Sequence, residues 1–308
     1  MATTITFHLF SGRPNPVKQI SERTEKELFA RLERMHRRPA RRVSPASSQF
    51  GTFTVTRRIA RRRLQFTVGY GLVENALFPN VAWSDSEGVF EFLVGVLRSP
   101  LLSNRLLTAL SKVARPDFRD RTVSTFKCGV NKTVDAQEFD AMWGRWYSTS
   151  FGAWIDHWPC NNCYDYANNK LTDTYSQPGI GGGKEFRSHT CKDLAGAAES
   201  DGLRRVTRLS RLGLNQGWYV VLLLGRILDE PDFHWLKQDA SGCWSHKMGG
   251  GQPSEHDASV KKIKIPESAN FSYYGGLMVY DTICGYFVTH ANVTIKGRGK
   301  LSCEQPIY

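Results

Sequence analysis

Residues 160–169, CNNCYDYANN, followed along the chain by residues 232–247, DFHWLKQDASGCWSHK, decide how this sequence reads. The first stretch predicts a helix beginning at Cys163. Asn161 or Asn162 can cap it, and Tyr164, Ala167 and Leu171 then share one face. A thiol at such a position is favoured to ionise, because unpaired backbone N–H groups and the helix dipole support negative charge. In the second stretch, DFHWLKQ and CWSHK flank the turn-prone DASG and predict a β-hairpin. His234 and His246 then meet across or diagonally on one face, depending on register.

A thiol followed by two imidazoles is the equipment of nucleophilic catalysis. Cys163 would attack a carbonyl, His234 would act as general base and then general acid, and His246 would hold the tautomer of His234. The backbone N–H of Cys163, with the Asn161 or Asn162 amide, is the expected oxyanion donor set. Tyr164 and Trp235, beside the reacting positions, complete the expected substrate-binding residues, and Trp154 and Trp158 are further groove candidates. Core packing is the competing role for such aromatics.

Working outward, GWYVVLLLGRI, KKIKI and GGLMVYDTICGYFVTH read as strands, and CKDLAGAAESDGL as a helix. Helices first and sheet afterwards, without regular βαβ alternation, predict an α+β fold. GIGGGK at 179–184 lacks the spacing and the trailing Ser or Thr of a phosphate loop, which leaves a lid or a plain loop. Nearer the N-terminus, ITFHLF alternates as a strand, and SGRPNP is a turn. A helix follows, with Ser21 as cap and Leu28, Leu32 and Met35 at helical spacing. FGTFTVTRRI and RLQFTVGYGLV predict paired strands, and EGVFEFLVGVLRSPLLSNRLLTALSKV one or two helices. The loss of periodicity between Ala114 and Ala136 places a boundary there: an N-terminal accessory domain, 1–125, and a catalytic domain, 126–308.

Composition narrows the class. The chain has 308 residues, 41% hydrophobic and 23% charged, as expected of a globular protein with a substantial core. Its net charge of +12 is concentrated in RLERMHRRPARR and RRIARRR, between residues 31 and 63. Such runs can bind nucleic acid, but no stacking aromatics interleave these arginines, so a solvated basic face is the expected role. MATTITFHLF lacks the pattern of a secretory signal, and the longest apolar run, Tyr219–Leu224, is too short to span a bilayer. These features predict a cytoplasmic protein without a transmembrane segment. The three N-x-S/T sequons, at Asn131, Asn270 and Asn292, then carry no function. The seven cysteines are expected to be reduced, with a Cys160–Cys191 disulfide as the alternative.

In order and interval, Cys163, His234 and His246 match the pattern of the NlpC/P60-like branch of papain-like cysteine peptidases and amidases. The chain resembles that family over roughly residues 150–290. The resemblance implies a helix headed by the cysteine and packed on an antiparallel sheet, with no cofactor and a peptide or small-molecule substrate. Two segments depart from the family pattern. Asn162-Cys163-Tyr164-Asp165-Tyr166 stands for the usual Asp-Cys-Ser-Gly-Phe, and His234-Trp235-Leu236-Lys237 for His-Val-Gly-Ile.

Together these readings predict a thiol hydrolase or acyltransferase acting on an amide or ester. The competing expectation is a non-catalytic binding or structural protein, with Cys163 buried or held in a zinc site made of Cys160, Cys163, His189 and Cys191.

Overall fold

Alternating small polar and apolar side chains at the N-terminus form the first strand, β1 (Thr3–His8), with Ile5 and Phe7 fully buried. The computed structural model describes residues 3–36, 40–42, 51–59, 62–69, 71–75, 77, 81–97, 128, 160–251 and 253–299. Helices combine with antiparallel sheets, so the chain is α+β. It divides into two units: Met1–Leu9 with Asn15–Asp117 and Glu304–Tyr308, and Phe10–Pro14 with Phe118–Cys303. The predicted boundary between Ala114 and Ala136 falls almost wholly outside the described residues, as do Trp154, Trp158 and Asn131.

In the first unit β1 is followed by β2 (Val17–Gln19), α1 (Glu22–His36), β3 (Arg41–Arg42), β4 (Thr52–Ile59), β5 (Arg62–Gly69), β6 (Leu72–Asn75), β7 (Val81–Ser84) and α2 (Val89–Leu97). The strands form one antiparallel sheet in the order β2-β1-β4-β5-β6-β7-β3. Ser21 caps α1, its hydroxyl accepting from Thr24 N at 3.3 Å. Leu28, Leu32 and Met35 make the buried stripe of that helix, each side chain contributing about 1.5–3 kcal/mol by leaving water. Several of the basic side chains are paired: Arg31 with Glu27 and Arg34 with Glu87 towards the surface, and Arg57 with the buried Glu25.

The second unit contains α3 (Cys163–Ala167), α4 (Cys191–Ser200), β8 (Arg204–Val206), β9 (Trp218–Ile227), β10 (Glu230–Gln238), β11 (Trp244–Lys247), β12 (Pro253–Ser254), β13 (Ser272–Tyr273) and β14 (Met278–Thr289). Its sheet runs β12-β11-β10-β9-β14-β13, with β8 also on β14. β9 lies between β10 and β14 with Val220, Val221, Leu222 and Leu223 all buried. Burial on both faces is why its sequence is a continuous apolar run instead of an alternation. Tyr164 and Ala167 of α3, Leu194, Ala195 and Ala198 of α4, and Phe233, Trp235 and Phe287 of the sheet share one core.

GIGGGK is a packed loop. Asp201, which follows α4, accepts N–H bonds from Gly179 at 2.8 Å and Gly182 at 2.6 Å, and the Tyr164 hydroxyl at 2.9 Å. A side chain on Gly181 would place Cβ 1.8 Å from Thr294 O, so only glycine lets these backbones meet.

The expectation of reduced thiols fails. Cys128 is bonded to Cys243 and Cys191 to Cys284, and Cys160 is also disulfide-bonded, whereas Cys163 is free. The Cys191–Cys284 bridge ties the start of α4 to β14 across 93 residues of sequence. Among the described residues, no helix is long and apolar enough to cross a membrane.

Candidate active site

The cysteine sits where the asparagines put it. Asn162 is the N-cap of α3 and its Oδ1 accepts from Tyr164 N and Asp165 N, each at 3.0 Å. Asp165 closes the capping box by accepting from Asn162 N at 2.9 Å. The helix is only five residues long and stops at Ala167, short of the predicted Leu171. Asn168 turns its amide back onto Tyr164 O at 2.9 Å, and Asn169 takes φ 51°, the left-handed conformation that asparagine tolerates at helix ends.

The two histidines meet through strand register. Leu236 lies directly opposite His246 in the β10–β11 pair, so His234, two residues earlier, is the diagonal neighbour on the same face. His234 Nε2 and His246 Nδ1 are 2.8 Å apart, and His246 Nε2 is 2.9 Å from His256 O. Burial pushes His234 well below its ordinary range and His246 down to about 4, so both rings are neutral near pH 7. A carbonyl oxygen can only accept, which fixes every proton in the chain. His246 Nε2–H donates to His256 O, His234 Nε2–H donates to His246 Nδ1, and His234 Nδ1 presents a lone pair.

That lone pair faces Ser11, whose Oγ is 2.6 Å away and donates to it. Ser11 was read from sequence only as part of a turn. The thiol lies beside this contact. Near its start β10 is paired on the β9 side alone, because β11 reaches no further than Leu236. Cys163 occupies the open edge, with Sγ 4.0 Å from Phe233 O and close to the Trp235 N–H and the Ser11 hydroxyl. His234 is not among the hydrogen-bond partners of the thiol. Cys163 is fully buried, and burial together with the nearby Asp232 carboxylate pushes the thiol well above its ordinary range.

The remaining expected site residues divide. Asn162 directs Nδ2 away from its helix onto Gly12 O at 2.9 Å, as an amide donor beside Cys163. Asn161 does not. Its side chain holds the following turn, donating to Asp173 Oδ1 at 2.9 Å and accepting from Thr172 N at 2.9 Å, and its carbonyl accepts from the buried Lys247 ammonium. Tyr164 and Trp235 pack against each other with ring centroids 5.1 Å apart, both buried in the same core as Cys163. The zinc alternative fails on its ligands, since Cys160 and Cys191 are both spent in disulfides. No group of three or more His, Cys, Asp or Glu side chains that could hold a metal occurs among the described residues.

Beyond Ser11, sequence reading missed Gly12, Gln177, Asp232 and Tyr280. Asp232 is fully buried beside His234 and accepts from Ser11 N at 2.9 Å, Arg13 N at 3.2 Å and the Tyr280 hydroxyl at 2.7 Å. Burial raises its pKa, and these donors oppose that rise. Gln177 Nε2 joins Asn162 on Gly12 O at 2.7 Å. The Tyr280 ring stacks on His234 at 5.0 Å. An acidic residue directly before FHW was the one available clue, because a carboxylate on a strand entering the core must find donors.

No protein-family model matches the chain, and no solved structure matches it. Insoluble matrix shell protein 1 of Ruditapes philippinarum is 32% identical over 114 residues, which are 37% of this chain and 73% of that protein. With identity and coverage at that level, the chain belongs to the family of insoluble matrix shell protein 1.

Proposed function

We propose that the second unit is a hydrolase or acyltransferase of papain-like design, acting on an amide or ester bond through Cys163, His234 and His246. The observation that supports it most is the proton order of the histidine chain, which leaves a lone pair on His234 Nδ1 directed at the hydroxyl beside the thiol. In the working form Nδ1 takes the Cys163 proton as Sγ bonds to the substrate carbonyl carbon. Asn162 Nδ2 and Gln177 Nε2, which already converge on one carbonyl oxygen, receive the developing oxyanion. The tetrahedral adduct collapses, the amine or alcohol leaves with the proton from Nδ1, and a thioester remains. Water or an amine then attacks the thioester, passes its proton to Nδ1, and releases the acyl group while Sγ regains a proton.

The arrangement described here is the resting form, with Ser11 on the base and the thiol buried. The test is the alkylation rate of Cys163 by iodoacetamide from pH 4 to 9, in wild type and His234→Ala, together with turnover of peptide and ester libraries. Turnover lost in both Cys163→Ala and His234→Ala supports the assignment. Turnover retained in Cys163→Ala sinks it.

Full burial of the thiol favours a second reading, a non-catalytic component of an insoluble matrix, in keeping with the name of the relative. That reading requires no turnover and the slow alkylation of an ordinary thiol in both proteins.

The disulfides support an oxidising compartment over the cytoplasm predicted from sequence. Mass spectrometry of the natively isolated chain, denatured and alkylated without reductant, should then show label on Cys163 and none on Cys128, Cys160, Cys191, Cys243 or Cys284. Label on all six would return the protein to a reducing compartment.

A further inference from the structure

The segment Phe10–Pro14 is bound in the second unit by its main chain. Phe10 O accepts from the Tyr175 hydroxyl at 3.2 Å, and Ser11 N donates to Asp232 Oδ2 at 2.9 Å. Gly12 O accepts from Asn162 Nδ2 at 2.9 Å and Gln177 Nε2 at 2.7 Å, and Arg13 N donates to Asp232 Oδ1 at 3.2 Å. Side chains that grip backbone atoms of successive residues are a way of recognising a peptide as such, because every peptide offers the same groups. Two amides on one carbonyl, beside a cysteine at a helix N-terminus, is the treatment an acyl-transfer enzyme gives the carbonyl it attacks.

Two side-chain features make the fit specific. A Cβ on residue 12 would lie 2.5 Å from both the Phe233 ring and Phe233 O, so this position takes only glycine. Ser11 places its hydroxyl on His234 Nδ1 and also receives Gly249 N–H at 3.3 Å. While that hydroxyl holds the base, His234 cannot take the thiol proton, so the segment is held without being cut. Arg13 anchors the outer end, donating to Pro231 O at 2.7 Å and lying over the Phe10 ring at 4.2 Å.

We infer that Phe10–Pro14 is a resident peptide occupying the substrate cleft, and that the substrates are peptides with glycine where Gly12 sits. The inference rests on the hydrolase reading and adds its substrate class and its regulation. A peptide arriving in trans satisfies Asp232, Asn162 and Gln177 as the segment does, so the exchange trades like contacts for like.

The test compares alkylation of Cys163 by iodoacetamide at pH 8 in wild type and Gly12→Ala, with and without millimolar acetyl-FSGRPN-amide. Gly12→Ala should label at least ten-fold faster, and the peptide should restore the slow rate where a scrambled peptide does not. Should Gly12→Ala fail to fold, Arg13→Glu, which repels Glu230 at the outer end and leaves the buried contacts in place, should label several-fold faster with the same peptide reversal. An unchanged rate in a variant with wild-type circular dichroism overturns the inference. So does acceleration that the peptide cannot reverse, or covalent capture of Ser11 by a fluorophosphonate, which would make Ser11 the nucleophile and the segment a fixed part of the site. The readout is protection of a thiol and needs no turnover. Peptide-reversible opening without any hydrolysis would therefore keep the cleft and remove the enzyme assignment.

Discussion

Asp165 and Asp232 are both fully buried carboxylates in the second unit, both pushed up in pKa by burial, and both held by hydrogen-bond donors. They differ in where the donors come from. Asp165 is served by Asn162 N, Thr172 Oγ1 and Ser176 N, all within 11 residues along the chain. Asp232 is served by Ser11 N and Arg13 N, 221 and 219 residues away, and by the Tyr280 hydroxyl. A carboxylate satisfied by its own loop is architecture: it shapes the N-terminus of α3 and has no reason to let go. One satisfied by a distant segment can exchange that segment for another peptide with the same groups, and it lies next to the histidine chain.

The sharpest way to break this contrast is to remove each carboxylate. Asp165→Ala strands three local donors and the cap of α3, and should lower global stability by about 3–5 kcal/mol. Asp232→Ala should cost less globally while releasing Phe10–Pro14, read as fast amide exchange at Ser11 and Arg13 and faster alkylation of Cys163. Equal losses of global stability, with exchange at residues 11–13 unchanged, would make the two sites alike.

Acid should act on the histidine chain next. His246 titrates near 4 in the folded chain against 6.5 when unfolded, so between those values the unfolded state binds more protons and stability falls as pH falls. The loss from pH 7 to pH 4 attributable to this residue is about 3 kcal/mol. The buried carboxylates, with raised values, work in the opposite direction. The measurement is therefore a difference: denaturant unfolding of wild type against His246→Asn at both pH values, with the wild type losing more. A parallel pH dependence in the two would show that the imidazole is not buried neutral.

The smallest effects come from single donors. Tyr280→Phe and Thr172→Val each remove one hydroxyl from a buried carboxylate and should each cost about 1 kcal/mol in urea unfolding. Only Tyr280→Phe should also speed amide exchange at Ser11, by several-fold. The same acceleration in Thr172→Val would erase the distinction between a local and a long-range clamp.

Legibility in the sequence follows the same division. The cap at Asn162, the cysteine behind it, the β10–β11 hairpin and the approach of the two histidines could be read because each depends on residues within about a dozen positions, where capping and strand register act. The sequence leaves Asn161 and Asn162 as alternatives because two adjacent asparagines are equivalent as symbols. The φ/ψ of the cap sends one amide to Gly12 and the other to the turn at Thr172. Nearness in sequence to a reacting group does not give a side-chain direction, and the rings of Tyr164 and Trp235 both turn into the core.

By itself, then, the sequence determined the local chemistry: which helix starts at the thiol, which strands pair, and which imidazoles share a face. Those outcomes are set by backbone geometry over a few residues. Only the tertiary structure decided that five of the described cysteines are spent in disulfides and so cannot serve as metal ligands, that Ser11 lies against His234, and that Asp232 finds two of its donors more than two hundred residues away. These are contacts between segments whose meeting depends on how the whole chain closes, and no local periodicity encodes them.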